Sequence, residues 1–488
     1  MASESVISAV RRSPVLLAVL ALGGSLPATA EATAPAGGRA PAAHASVAEP
    51  HTSGFYIRGG GDGHGIGMSQ YGTLGYAQHG WTYQRILAHY YRGTSLGSVS
   101  PTQTISVLLQ DGSAAFSGAN ESNGKTLKTG TTYTVRLLSD GRFELLAGST
   151  KVDTYSSPLT VAGPGPLTLA GLGGYRGDFV FRPDGSGAVQ TVNRLDIEDY
   201  VRGVISAEMP SGWPAQALRA QAVAARTYAL TAGAVSATFD VYSDTRSQMY
   251  EGVAAETPAT NAAVAATRGQ VVTYHGTPVV TYFSSSSGGH TESIQNEWLG
   301  SSPEPWLRGV PDPYDGAGGN PNHRWAYNLS LAAAVGKLSG LVKGSLVGIK
   351  VLKHGVSPRI VEAAVVGSRG STDVTGPELQ QDFGLMSTYM AFTTVTIHGA
   401  FSSGTTTSSG NGGASAGSAT AGKRSVAGRV FPTRRGVLVL VQKLGGHRWS
   451  TTGRVRTVNG GHFQAALPGP GRYRIKYGNV GGPALTVR

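Results

Sequence analysis

The sequence predicts an α+β protein: a mixed α/β core carrying a β-rich inserted section, followed by a small all-β, sandwich-like C-terminal domain. Three observations predict it. Short alternating runs (TISVLL, YTVRLL, FELLAG, GDFVFRP) split by Gly, Asp and Asn fill residues 104–192 and read as six to eight strands. Two long helix-patterned stretches follow at Ile197–Glu208 and Pro214–Thr231. Beyond a Gly/Ser/Thr-rich stretch come four further strand-like runs. With 488 residues and 71 Gly the chain has room for two or three cored domains but does not resemble a helical bundle. It has no Cys, which excludes disulfides, a thiol nucleophile, iron–sulfur clusters and Cys-ligated zinc.

In chain order, Arg11-Arg12, the apolar run Val15–Leu22 and the pattern Ala28-Thr29-Ala30 make residues 1–30 an expected export signal, so the chain is expected to be secreted. Residues 31–53 form an Ala/Pro-rich linker and 54–400 the main region. In it, Tyr83, Ile86, Leu87 and Tyr90 lie on one helical face with Thr82 as N-cap. Residues 401–422 form a second linker, and 423–488 a basic β domain with runs at Gly436–Leu444, Arg448–Thr457, His462–Leu467 and Arg472–Tyr477. Asn459-Gly460 between two of these is a hairpin signal.

The net charge of +12 has a location. From Lys423 to Arg488 there are 13 Lys and Arg and no acid, leaving 27 cations against 28 acids in the rest of the chain. Such a tail attracts polyanions. Export disfavours nucleic acid and leaves an anionic cell-wall polymer as the expected partner.

Two apparent motifs fail on spacing and context. Gly118–Thr126 has five residues between its glycines where a phosphate loop needs four, and reads as a β-turn. The G-x-S-x-G matches at Gly93–Gly97 and Gly413–Gly417 follow a helix and lie in a linker, so neither is a nucleophile elbow.

The informative stretch is Leu195–Leu230. Ile197, Val201 and Val204 form an apolar stripe whose spacing continues to Glu208, and Pro210 ends the helix there. A carboxylate closing a core-facing stripe is partly desolvated, which pushes its pKa upward as a general acid requires. Arg219 and Arg226 on the next helix would lower it, so the sequence does not sign the net shift, and a role for Glu208 as a cap or as an arginine's partner stays open. The next helix is Ala-rich, and its long polar side chains Arg219, Gln221 and Arg226, with Tyr228, are candidates to bind substrate beside Glu208. The Gly-dense loop Gly63–Gln70 offers His64, Ser69 and Gln70; Ser284–His290 offers Ser286, Ser287, Gly288 and His290. Each loop reads equally as a polar turn.

These stretches, with Tyr250–Thr291, Trp298–Asp315, Gly61–Thr94 and Ile349–Phe392, resemble the SpoIID/LytB family. Sporulation-type members are similar to lytic transglycosylases that cut peptidoglycan glycan strands. The resemblance carries the family's essential glutamate onto Glu208, a basic residue onto Arg219 and an arginine onto Arg226. Three departures accompany it. The GHGxGMSQ segment, near the C-terminus in the sporulation type, comes first here at Gly63–Gln70, as in a circular permutation. Some relatives bind zinc partly through cysteine, which this chain lacks, so no metal and no cofactor is expected. Glu378–Leu385 has Gln where the resemblance implies Arg.

A hydrolysing glycosidase needs two carboxylates across the scissile bond. Asp196, Glu198 and Asp199 lie at the far end of the helix, about 15 Å from Glu208 at 1.5 Å per residue, and Asp244 and Glu292 reach it only if the fold brings them. One acid suffices if the muramic 6-hydroxyl is the nucleophile, giving a 1,6-anhydro end. Two other classes stay open: a non-catalytic wall-binding stimulator of an N-acetylmuramoyl-L-alanine amidase, and a metal-dependent hydrolase using His64 and His290.

Overall fold

The computed structural model describes residues 51–402 and 423–488. The expected signal at 1–30, and the linkers at 31–53 and 401–422 apart from their edges, lie outside the described residues. The chain is α+β, with 21% helix and 41% strand.

The β-rich section is there, with twelve strands rather than six to eight. A seven-stranded sheet runs Val241–Tyr242, Thr104–Asp111, Val189–Asp196, Asp178–Pro183, Leu159–Ala162, Glu121–Ser122 and Lys125–Thr126. A six-stranded sheet runs Thr150–Tyr155, Phe143–Ala147, Tyr133–Leu137, Ala114–Ser117, Leu167–Leu169 and Gly173–Tyr175. Phe116, Phe143, Phe179 and Phe181 are buried in their shared core. The uncounted strands are two to four residues long, too short for a period of two to show. The phosphate-loop lookalike is a hairpin: Glu121–Ser122 pairs with Lys125–Thr126, and its turn puts Asn123 and Gly124 at positive φ.

Strand Val189–Asp196 leads directly into a helix, so the sheet sets that helix's direction. Four helices surround the site: α1 (Gln70–Gln78), α2 (Tyr83–Tyr90), α3 (Ile197–Glu208) and α4 (Ala215–Thr231). Thr82 caps α2 as expected, accepting from the Arg85 N–H. Asp196 stands at the α3 cap position without a side-chain capping bond. The helix α4 is buried on nearly every side, with α1, α2, α3 and helix Pro258–Ala266 packed on it. Its alanines permit that crowding because each adds only a methyl to the interaxial gap. α1 itself is a correction, since Gln70 was expected in a loop and instead begins a helix.

The basic tail is not a sandwich closed on itself. Its strand Lys423–Phe431 pairs with Met390–Ser402, which pairs with His51–Gly59, in a five-stranded sheet flanked by Trp325–Leu329 and His462–Ala466. The facing sheet is Arg448–Arg456, Leu438–Gly445, Gly471–Tyr477 and Val480–Val487. Between them Tyr56, Val395 and Ile397 pack with Val426, Val430, Val439, Val441, Tyr473 and Ile475. The strand His51–Gly59 serves two cores: Tyr56 faces the tail, while Phe55 and Ile57 face Leu379, Phe383 and Phe392. Asn459-Gly460 is no hairpin. It sits in a short 3-10 turn carrying the chain from one sheet to the other.

Ending the chain at residue 402 therefore exposes Val395, Ile397 and Tyr56. We expect the truncated protein to unfold at a lower urea midpoint and to bind a hydrophobic dye that the full chain does not. An unchanged midpoint would mean the tail folds independently of the rest.

Candidate active site

Glu208 is the last residue of α3. The Met249 backbone N–H donates to its Oε1 at 2.9 Å, and Gln70 Nε2 donates to its Oε2 at 3.1 Å. Burial raises its pKa above the ordinary glutamate value, and these two neutral donors only partly offset that rise. Tyr228, whose hydroxyl bonds Ser247, lies close enough for its titration to feel Glu208. Of the residues expected from sequence, the structure thus gathers Glu208, Gln70 and Tyr228. The loop Ser247–Met249 was missed, because a backbone N–H leaves no mark in a sequence.

One half-buried aromatic pair and a run of three half-buried rings lie beside this group. Tyr71, next to Gln70, meets Trp213 edge-on with ring centres 5.2 Å apart. Tyr228 meets Tyr282 at 5.8 Å, and Tyr282 meets Trp298 at 4.6 Å. Partly exposed rings of this kind offer flat apolar faces to a ligand.

Several of the other expected binding residues are engaged within the fold. Arg226 is fully buried, with both Nε and Nη2 2.8 Å from the oxygens of Glu198, and its Nη1 bonds the Gln270 carbonyl. It ties α4 to the start of α3, away from Glu208. Gln221 is fully buried, and neither its Oε1 nor its Nε2 has a partner among the described residues. Arg219 is half-buried with an unpartnered Nε.

Ser69, Ser286, Ser287 and Gly288 are buried and committed to two carboxylates. Asp315 accepts from the Ser69 hydroxyl at 3.0 Å, the Ser286 hydroxyl at 2.9 Å, and the Ser287 and Gly288 N–H groups at 2.8 and 3.1 Å. It also lies 2.8 Å from His323 Nδ1. Asp312 accepts from Ser287 Oγ at 2.7 Å and Tyr90 Oη at 2.9 Å; burial and the neighbouring Asp315 push its pKa up to about 7. Gly72 makes this approach possible, since a Cβ there would lie 2.1 Å from Tyr90 Oη and 2.3 Å from the Asp312 oxygens. Ser69 is also the N-cap of α1, accepting from the Gly72 N–H. The Gly-rich segment reaches this position through a parallel pair, Met68 and Ser69 alongside Phe283 and Ser284. Gly61, Gly63, Gly65 and Gly67 all have positive φ, which a side chain would resist.

His64 accepts from the Ile66 N–H at 3.0 Å and is wedged near Tyr282 and Trp298. Burial and Arg359 lower its pKa to about 4, so it is neutral near pH 7. His290 Nδ1 is held by its neighbour's Thr291 carbonyl. The two histidines form no metal cluster, and among the described residues no group of three or more potential ligands does. Of the other carboxylates considered, Asp244 is held by Arg246, and Glu292 is fully buried on Ser357 and the Val356 N–H. The cleft of about 420 Å³ lined by Asp196, Glu198, Asp199 and Arg202 sits at the opposite end of α3. Two of its three acids are committed there too, Glu198 to Arg226 and Asp199 to Arg202.

The model of the family described as Stage II sporulation protein matches residues 185–274, which include Glu208, Tyr228 and the 247–249 loop. The Stage II sporulation protein D of Bacillus subtilis is 30% identical over 217 residues, 41% of this chain and 61% of that protein. An amidase enhancer of the same organism is 38% identical over 130 residues, 27% of this chain and 17% of that protein. An uncharacterized protein of Brachyspira hyodysenteriae is 39% identical over 163 residues, 33% of this chain and 43% of that protein. The chain thus spans less than two thirds of each of these relatives' length.

Two outcomes follow. Arg226→Met leaves Glu198 buried without its cation, and should lower the unfolding free energy in urea by about 3–5 kcal/mol, with Glu198→Leu added to it restoring part of the loss. Gln70→Leu removes a donor that favours the Glu208 carboxylate, so the Glu208 pKa should rise further, read by NMR titration of carboxyl-labelled glutamate. An unmoved titration would mean that this bond does not act on Glu208.

Proposed function

Because the chain carries a domain of the SpoIID/LytB family, we propose that it acts on the cell wall as a peptidoglycan lytic transglycosylase, with Glu208 as its general acid and base. One observation carries this reading: a partly buried carboxylate with raised pKa, held by two neutral donors. Among the described residues, no second carboxylate contributes to that shift. We take a reaction needing one acid in preference to hydrolysis, which needs two.

In the proposed reaction the protonated Glu208 gives its proton to the glycosidic oxygen as the bond from C1 breaks. The resulting carboxylate takes the proton of the muramic 6-hydroxyl as that oxygen bonds to C1. The products are a 1,6-anhydro-muramyl end and a free hydroxyl, Glu208 is reprotonated, and no water is consumed. The Met249 and Gln70 donors suit the carboxylate stage, while burial suits the acid stage. The carboxylate's position therefore serves both halves of the cycle. The half-buried rings Tyr71, Trp213, Tyr228 and Tyr282 supply apolar faces for sugar rings. We also propose secretion, and attachment to an anionic wall polymer through the basic tail.

A second reading is favoured by the likeness to a protein named amidase enhancer: a non-catalytic, wall-binding stimulator of an amidase. Glu208→Gln separates the two.

Given purified glycan strands with and without stem peptides, the wild type should yield anhydro-muramyl ends by mass spectrometry. Glu208→Gln should lose about 10²–10⁴-fold in rate. Because burial penalises the charged form, removing that charge should leave the melting temperature unchanged or higher at pH 7, with less gain at pH 4, where the carboxyl is protonated in the folded and largely so in the unfolded chain. Reducing ends in place of anhydro ends would mean hydrolysis. No cleavage by the wild type would favour the stimulator.

A further inference from the structure

We propose that the outer face of the tail's four-stranded sheet is a docking track for a linear phosphodiester polymer, lying along strand Gly471–Tyr477. The inference rests on action at the cell wall and gives the proposed attachment a location and a chemistry.

Tyr473 and Ile475 point into the sandwich core, so alternation puts Arg472, Arg474 and Lys476 on the opposite face. Neighbours in this row are about 7 Å apart along the strand. Register extends the charge sideways: Lys476 pairs with Leu440, Leu440 with Arg454, and Leu438 with Arg456. Arg454 and Arg456 thus lie on the same face, two strands and about 10 Å away. None of these five cations is in an ion pair among the described residues, and residues 423–488 contain no acid to neutralise them.

Arg474 is fixed in advance. Its Nε donates to Gln442 Oε1 at 2.9 Å, and its guanidinium carbon sits 4.5 Å from the centre of the Trp449 ring. On the other side Gly481 leaves room, since a Cβ there would meet Nη1 at 3.0 Å. Its terminal nitrogens make no hydrogen bond among the described residues, so a half-buried planar fork keeps unspent donors with little rotamer freedom left to lose. A phosphate oxygen pair is the ligand that such a fork fits.

The same contacts argue for a polyol phosphate over single-stranded nucleic acid. Binding single strands draws on open aromatic faces for base stacking. Here Trp449 is covered by Arg474, Leu440 lies between the two rows of cations, and the positions flanking Arg474 and Arg472 on the edge strand are Ala484 and Thr486, none of them aromatic. The face reads charge, not bases.

The test uses the full chain, equilibrium binding to fluorescent poly(glycerol phosphate) over a range of salt, and two variants of equal charge change. R472Q/R474Q/K476Q should weaken binding by on the order of tenfold or more at low salt and flatten its salt dependence. R434Q/R435Q/R448Q, which removes exposed cations elsewhere in the tail, should weaken it by no more than about threefold. The double variant R472Q/K476Q, which disturbs no side-chain hydrogen bond or ion pair among the described residues, should show most of the loss and guards against misfolding through Arg474. Equal losses in the two triple variants would overturn the track in favour of diffuse charge. Tighter binding of single-stranded DNA than of the polymer would overturn it in favour of nucleic acid. Cleavage of short soluble glycans is followed in parallel and should be unchanged by the track variants. If the wild type cleaves nothing while the track triple variant still loses the polymer, the proposed enzyme falls and the track stands.

Discussion

The buried carboxylate of Asp315 is where three sequence-distant segments meet. It draws donors from the Gly-rich segment through Ser69, from the serine loop through Ser286, Ser287 and Gly288, and from its own loop through Asn320. An acceptor sealed from water at this density of donors is costly to leave unmet, so each segment is held to the others. The consequence for chemistry runs through one residue. Ser69 caps α1, the next residue is Gln70, and Gln70 is a donor to Glu208. The geometry at the candidate acid is therefore set by a polar cluster that does not itself touch it.

Burial acts on different charges in different ways across this protein. Glu198 is buried opposite Arg226, a carboxylate kept beside a cation, whereas at Glu297 burial still raises the pKa although Arg359 lies beside it. Glu208 has only neutral donors, so desolvation prevails and its proton is held more tightly. A carboxylate left unpaired in this way costs stability, and sites under functional demand are where such a cost persists.

The tail shows the same economy in sheet form. One face of its strands completes a core begun by residues near the start and middle of the chain, including Tyr56 and Val395. The other face carries arginine and lysine. A period of two allows both at once, with Tyr473 and Ile475 turned inward and Arg472, Arg474 and Lys476 outward.

Elements set by local pattern were legible in the sequence: α3 to the residue, α4 to within one, the Thr82 cap, and the long strands of residues 104–192. The position of Glu208 on its apolar stripe was legible too, because helical spacing alone places it. What lay beyond the sequence depended on contacts between distant residues. Arg226 resembled a substrate ligand until its partner Glu198 was seen. The serines of the 284–290 loop resembled sugar contacts until Asp315 and Asp312 were found beneath them. Met249 contributes a backbone group that any residue but proline possesses, and Asn459-Gly460 turns between sheets because its flanking strands have other partners. Sequence by itself determined which helices and long strands form, where the charge lies and which carboxylate ends a buried face, since each depends on neighbours within a few residues. Only the tertiary structure decided which polar groups are spent on one another and which remain for a ligand, since hydrogen bonds and ion pairs are satisfied in space, without regard to separation along the chain.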